Sequence, residues 1–268
     1  MTYVEKLSRA EMLTTALFYA DSGVHWLFEN SNDKENETII VNIENEQDSF
    51  VKSTSKSINA DLNINDSVIE KAYSITESAT SLHELKLLLS SFNDCKLLHT
   101  ARTTICADQE YAKDVMIIGY TPSDIDDING KPFSGKTGDM LNEILKSIKI
   151  NREETCISMI SPWRPPGNRK LSTIEIEICR PIIIKQIELA APKIILLLGK
   201  DTKKIFFKKD KTYNNNLDNY NKIIVKNKEI PTISIAHPQE MIEHTYFKKD
   251  AWISLIEFKK KIESIKKI

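Results

Sequence analysis

The chain has 268 residues, of which 41 % are hydrophobic and 28 % are charged, and its formal net charge is −1. These values are ordinary for a globular α/β domain with some additional sequence. The near-zero net charge gives no overall signal for a nucleic-acid partner, so any DNA-binding surface has to be local. There is no apolar run of about 18 residues and no pattern of a secretory leader, so we expect a cytoplasmic monomer without a membrane span.

The chain contains four cysteines and no CxxC pair. Such spacing is more typical of reduced intracellular thiols than of a disulfide framework. The four are Cys95, Cys106, Cys156 and Cys179.

The N-terminal third differs in composition from the remainder. Residues 1–29 are expected to form an amphipathic helix, because apolar residues such as Leu13 and Leu17 recur at helical spacing. Residues 30–80 are predicted to be a flexible polar linker, since Asn, Asp, Glu, Ser and Lys dominate its first part. The main domain is therefore predicted to span residues 81–268.

Four short apolar segments of the main domain are predicted to be buried strands separated by helices. This alternation predicts a three-layer α/β/α fold with a central, mostly parallel, four-stranded sheet, preceded by the N-terminal helical extension. Ligands bind at the carboxyl ends of the strands in such sheets. The strands are placed at residues 115–119, 155–160, 193–199 and 231–236.

The first candidate loop runs from Gly119 to Gly138 and reads GYTPSDIDDINGKPFSGKTG. A strand ends in glycine, an acidic loop follows, and Pro-Phe with two glycines opens a helix. Glycines at these places let a ligand approach the backbone, although many phosphate-binding loops look alike.

The second candidate loop follows the second strand and reads PWRPPGNR from Pro162 to Arg169. Consecutive prolines make it stiff, and its two arginines suit a phosphate backbone. A proline-rich connector without a binding role is an equally good interpretation of this segment alone.

The third candidate site is His237, which directly follows the fourth strand. A single histidine is more often structural than catalytic. Its place on the same sheet edge as the other two loops raises the catalytic interpretation to an equal alternative.

Taken together, the three motifs resemble the iron–sulfur uracil-DNA glycosylases of family 4. The first loop is similar to the family's GEAPG…GxPFVGxxG segment without a gap, and the second to NVVKCRPPGNR. The resemblance extends over about residues 81–261 and includes Ile178-Cys-Arg-Pro181, Ala191 to Gly199, His237-Pro238 and Ala251-Trp252.

The resemblance implies a DNA repair hydrolase that encloses a flipped uracil and stabilises the departing base as an anion. It assigns base stacking to Phe133 and hydrogen bonding of the developing oxyanion to His237. The base-enclosing positions are Gly119, Tyr120, Thr121, Phe133 and Met159. The DNA-facing positions are Arg164, Pro165, Pro166, Asn168 and Arg169.

Several residues depart from the family pattern. Tyr120 stands where the family has its acidic residue, and Met159 stands where it has the asparagine that reads the uracil edge. Ser123 replaces a loop glycine. Asp126 and Asp127 match acidic positions slightly further on and are candidates to replace the missing acid, with a solvated loop as the alternative.

The family's cluster ligands are also incomplete in this chain. A [4Fe–4S] cluster requires four thiolates in one place. Cys95 and Cys179 match two of the ligand positions, whereas Phe92 and Trp163 occupy the other two. We therefore expect no metal and no cofactor, with Cys95 and Cys179 as vestigial positions.

Three functions remain open from the sequence. The first is removal of uracil from DNA in base-excision repair, with weakened or altered base choice. The second is a catalytically silent module that recognises damaged or abasic DNA. The third is an α/β protein that binds a phosphate or nucleotide other than DNA.

Overall fold

The computed structural model describes residues 67–109, 112–207 and 220–266. The expected helix over residues 1–29 and the linker up to residue 66 lie outside the described residues. The end of the expected linker needs correction, because residues 67–78 form helix α1. Ala72 is 1 % exposed and packs with the main core, so the domain extends at least to residue 67 rather than beginning at 81.

The centre of the fold is a five-stranded sheet with the strand order β2-β1-β3-β5-β4. The strands β2, β1, β3 and β5 run parallel to one another, and β4 pairs antiparallel with β5. The mostly parallel sheet was expected, whereas the fifth strand was not. The strands are β1 (Val115–Gly119), β2 (Thr155–Met159), β3 (Ile194–Leu198), β4 (Tyr220–Val225) and β5 (Lys228–Ile235).

Strand β4 escaped the sequence analysis because only one of its faces is buried. Ile223 and Val225 are 4 % and 6 % exposed, whereas Ile224 between them is 66 % exposed. This period of two is typical of an edge strand with one wet face, not of the continuous apolar runs used to find the other strands. Lys226 and Asn227 both adopt positive φ and turn the chain directly into β5.

Apolar side chains cover both faces of the sheet, which gives the three layers. Met116 and Ile118 of β1 belong to one core cluster, and Val115 and Ile117 belong to the other. Alternate side chains of a strand point to opposite faces, so both faces are dry. The helices beyond α1 are α2 (Leu82–Ser90), α3 (Lys96–Thr100), α4 (Asp124–Asn129), α5 (Gly135–Ser147), α6 (Thr173–Ala190), α7 (Lys200–Phe206), α8 (Pro238–Glu243) and α9 (Phe247–Lys266).

The two helical layers have different members. Residues of α1, α2, α3 and α6 pack in the cluster that contains Met116, and residues of α5, α8 and α9 pack in the cluster that contains Ile117. Within the described residues, no helix combines the length and apolar character that crossing a membrane requires.

The open edge of β2 is partly covered by the segment that precedes β1. The backbone N–H of Asp108 donates to Ile157 O at 2.9 Å, and Ile157 N–H donates to Asp108 Oδ1 at 2.7 Å. Burial raises the pKa of Asp108 to about 6, although the Ile157 hydrogen bond opposes the shift. A carboxylate with a raised pKa stabilises the fold only when it is protonated.

We predict that Asp108→Asn stabilises the protein at pH 7.5 by about 1–3 kcal/mol, because asparagine keeps the acceptor oxygen without a buried charge. The folded protein binds an extra proton between about pH 4 and pH 6, so the stability supplied by Asp108 falls as the pH rises through that range. Urea unfolding at pH 7.5 and pH 4 measures the effect, which should vanish at the lower pH. Asp139→Asn, at an exposed helical position, is the control. An equal gain at both pH values would contradict the prediction.

Candidate active site

A cavity of about 540 Å³ opens where the loops after β1, β2, β3 and β5 meet at the carboxyl edge of the sheet. The structure brings together Tyr120, Phe133, Met159 and His237 in its wall. Thr121 and Asn168 line it as well. The remaining lining residues are Pro122, Ser123, Asp124, Asp126, Thr137, Leu198, Gly199, Lys200, Asp201, Thr202, Gln239 and Glu240.

The Phe133 ring is fixed by an unusual backbone conformation. Phe133 has φ of 51°, a left-handed value that is costly for a large side chain. Arg152 donates to the carbonyl oxygens of Pro132 at 2.7 Å and Phe133 at 3.1 Å and holds this turn. A Cβ on Gly138 would lie 2.0 Å from Phe133 O, so only glycine fits beneath the turn.

Because Gly119 has no side chain, the Phe133 ring can occupy the space next to it. A Cβ at residue 119 would lie 2.6 Å from both Phe133 Cζ and Met159 Sδ. Phe133 is 3 % exposed and its ring centroid lies 5.6 Å from that of His237. Gly119 itself lies outside the cavity lining and packs against Phe133 and Met159, which both line the cavity, with His237 beside the ring.

His237 is held by the first turn of α8, of which it is the N-cap. Its Nδ1 accepts a hydrogen bond from Gln239 N–H at 3.2 Å, and its own N–H donates to Glu240 Oε2 at 2.9 Å. Burial lowers the pKa of His237, and nearby Glu240 and Asp126 partly oppose this shift. The neutral ring with an accepting Nδ1 carries its proton on Nε2, so Nε2–H is a hydrogen-bond donor.

Asp126 and Asp127, the two candidate acids of the first loop, have structural partners. Asp126 is 2 % exposed, and its two carboxylate oxygens accept from Ser123 N–H at 2.8 Å and Ser134 N–H at 2.6 Å. It lines the cavity but serves as the reciprocal cap of α4.

The structure places Asp127 outside the cavity lining, which differs from its candidacy as a catalytic acid. Its carboxylate accepts from Arg102 N–H at 2.9 Å and Thr103 N–H at 3.0 Å, and it is 2 % exposed. These partners lie 25 and 24 residues earlier in the chain, so the sequence alone gave no sign of them.

We predict that Asp127→Ala lowers the free energy of unfolding by about 1–3 kcal/mol, because it removes the buried carboxylate that accepts the N–H groups of Arg102 and Thr103. Thermal or urea unfolding measures the loss, and Asp139→Ala should change stability by less than about 0.5 kcal/mol. A stability loss no greater than that of the control would show that Asp127 does not hold this segment.

Comparison with known proteins identifies the family. The model of the uracil DNA glycosylase superfamily matches residues 109–256, more than half of the chain. The chain belongs to the uracil-DNA glycosylase superfamily. Its relatives place it with family 4.

Three of these relatives are type-4 uracil-DNA glycosylases. The protein of Sulfurisphaera tokodaii is 32 % identical over 175 residues, which are 63 % of this chain and 79 % of the relative. That of Saccharolobus solfataricus is 34 % identical over 43 % of this chain and 54 % of its own. That of Pyrobaculum aerophilum is 32 % identical over 44 % of this chain and 60 % of its own.

Two residues make the cavity of this glycosylase-like chain less polar than the family pattern. Met159, at the end of β2, is 1 % exposed and brings a thioether where the pattern has an amide. Tyr120 lines the wall, and its hydroxyl oxygen accepts a hydrogen bond from Leu171 N–H at 3.2 Å. Burial raises the pKa of Tyr120, so its hydroxyl stays neutral near neutral pH.

The proline loop of the glycosylase fold contributes one residue to the cavity. Asn168 lines it in a left-handed conformation and accepts at Oδ1 from Arg164 Nε at 2.9 Å. Pro165 is buried and Pro166 exposed, and both lie outside the lining. Arg169 pairs with Glu175 at 2.7 Å, so its charge is already partly neutralised within the protein.

The wall of the cavity between β3 and α7 was not predicted from the sequence. Lys200 and Asp201 line the cavity there, and Asp201 pairs with Lys170 at 2.9 Å. Burial alone would raise the pKa of Asp201, but Lys170 and Lys204 together lower it. Gly199 ends the third predicted strand on the same sheet edge, and that was the signal that could have pointed to this wall.

The four positions that correspond to cluster ligands lie in the core beside the proline loop. The rings of Phe92 and Trp163 stack with centroids 6.0 Å apart, and Trp163 is fully buried. Burial raises the pKa of both Cys95 and Cys179, which keeps the thiols protonated. Two neutral thiols beside a packed aromatic pair do not fit a four-thiolate cluster.

Proposed function

We propose that the protein removes uracil from DNA by hydrolysing the N-glycosidic bond, at a rate below that of a glycosylase with the complete family pattern. His237 carries the proposal. Its accepting Nδ1 places the ring proton on Nε2, and the imidazole lies beside the ring of Phe133, on which a base can stack.

The glycosidic bond breaks with its electron pair leaving on the base, so negative charge develops on the base oxygen. A neutral imidazole N–H that is already oriented can stabilise this oxyanion without prior reorganisation. Burial lowers the pKa of His237 and thereby favours this neutral form. In this orientation the hydrogen bond from Gln239 N–H to His237 Nδ1, which caps α8, stays intact during the reaction.

The cavity offers few groups that could distinguish uracil from other bases. Met159 cannot form the paired hydrogen bonds with which an amide distinguishes uracil from other bases. The hydroxyl of Tyr120 accepts from Leu171 N–H and carries no negative charge at neutral pH. We therefore propose weak discrimination between bases and slow excision, by a monomer in the cytoplasm.

The second candidate is a silent module that recognises damaged or abasic DNA. The specific observation in its favour is the position of Met159, which lines the cavity with its Sδ close to the ring of Phe133. An apolar group there favours binding of an abasic or altered nucleotide, because the polar edge of an intact uracil would be buried against it without a hydrogen-bond partner. DNA affinity in both cases comes mainly from phosphate contacts.

We predict that His237→Ala reduces excision by about 10²–10³-fold, because it removes the oxyanion donor. Abasic-site formation on uracil-containing single- and double-stranded oligonucleotides, followed by alkaline strand cleavage, measures the rate. DNA affinity, measured in parallel at fixed salt, should remain within about threefold because phosphate contacts are unchanged. Equal excision by the variant and the parent would remove His237 from the mechanism, and absence of excision by the parent would favour the silent module.

We predict that Tyr120→Glu together with Met159→Asn raises uracil excision by at least tenfold, since the pair returns an acid and a base-reading amide to the cavity. The two single variants are the matched controls, and each should gain less than the pair. The rate with an oligonucleotide that carries thymine in place of uracil measures the accompanying gain in discrimination. No gain in the paired variant would show that other groups limit the reaction.

We also propose that the protein has no iron–sulfur cluster, on the ground that Phe92 and Trp163 fill two ligand positions. Protein purified without oxygen should then lack the brown colour and the broad absorption near about 400 nm of cysteine-bound iron. Iron and acid-labile sulfide assays on the same sample give a second measurement. Stoichiometric iron and sulfide would overturn the proposal.

A further inference from the structure

Four carboxylates line the cavity, and they differ in the contacts they already make. They come from the first loop, from the β3–α7 wall and from α8. The four are Asp124, Asp126, Asp201 and Glu240. A carboxylate that takes a proton has to come within hydrogen-bond reach of it, and one that is already held would have to give up its partners, so these contacts distinguish the four.

Asp126 and Glu240 are used as helix caps. Asp126 accepts from Ser123 N–H and Ser134 N–H with its two oxygens. Glu240 accepts from His237 N–H at 2.9 Å and completes the cap that orients the imidazole. Removing either from its cap to meet a substrate would release backbone donors at the cavity wall.

Asp201 is used in ion pairs. One oxygen lies 2.9 Å from Lys170 Nζ, and the other lies 3.4 Å from Lys204 Nζ. Two cations compensate its charge, which weakens its attraction for a further positive group.

Asp124 is the carboxylate of this group that is exposed and makes no side-chain hydrogen bond or ion pair with any residue that the structure describes. It is the first residue of α4 and follows Tyr120 by four positions. Ser123, whose side chain caps α4, and buried Pro122 hold the backbone at this point. The loop therefore presents to the cavity, from a fixed position, a carboxylate that none of the described residues engages.

We propose that Asp124 faces the deoxyribose of the bound nucleotide and supplies the carboxylate of the excision reaction. When the bond between C1′ and the base nitrogen breaks, its electron pair leaves with the base and C1′ becomes positive. Asp124 stabilises that positive charge. The oxygen of a water molecule then bonds to C1′, and its proton passes to Asp124, which releases it to solvent.

The catalytic part of this assignment rests on the proposed function, whereas the position of Asp124 opposite the sugar can be tested without turnover. The probes are two oligonucleotides that differ at a single abasic site. One carries a protonated pyrrolidine in place of the sugar, and the other carries a neutral tetrahydrofuran. Their dissociation constants with the full chain are measured at the same low ionic strength.

The parent should bind the cationic probe about tenfold more tightly than the neutral probe. Asp124→Asn should reduce this preference to about twofold or less, and Asp124→Glu should retain part of it because the charge remains. Asp139→Asn, which removes an exposed acid outside the cavity lining, should bind like the parent. A thermal melt of each variant confirms that the fold is kept.

An unchanged preference in Asp124→Asn, or no preference in the parent, overturns the position of Asp124. Single-turnover excision supplies the separate test of the proposed function. If the parent forms no abasic sites, the proposed function and the catalytic part fail, while the probe preference still decides the position. If the parent excises uracil and Asp124→Asn excises it equally well, the catalytic role of Asp124 alone is wrong.

Discussion

The buried carboxylate of Asp127 joins two walls of the cavity through one short segment. It accepts the N–H groups of Arg102 and Thr103, and the next residue, Thr104, accepts the indole N–H of Trp163 at 3.1 Å. Ile105 N–H then donates to Pro162 O at 2.8 Å. The first loop and the proline loop, which both contribute to the cavity wall, are thus held at a fixed separation.

Apolar packing supports this hydrogen-bonded connection at the place where the family pattern has metal ligands. Trp163 stacks on Phe92, and its backbone is fixed by two hydrogen bonds with Ser161. A buried aromatic pair stabilises by surface burial and close contact, which need no oxidation state or metal supply. The proline loop can therefore keep its place while two of the four thiols are absent.

The sequence was sufficient to locate the cavity, because parallel strands end at one edge and the loops that follow them have to meet there. It was insufficient to distinguish Asp126, Asp127 and Asp124, since that distinction depends on backbone donors from Ser134, Arg102 and Thr103. Distant pairings of this kind have no local periodicity. The same limit explains β4, whose single buried face differs from the apolar runs of the parallel strands.

The close packing of Gly119 and Gly138 against Phe133 has a consequence for attempts to change the base specificity of the cavity by laboratory evolution. A methyl group at residue 119 would collide with the ring, and one at residue 138 would collide with the carbonyl group beneath it. At residue 138 a larger amino acid fits only if the turn itself moves, whereas at residue 119 the side chains of Phe133 and Met159 would have to shift. Libraries that aim at new bases therefore gain most from varying Tyr120, Met159 and Lys200, because the turn that carries the Phe133 ring is held by Arg152 and by the close approach of Gly138.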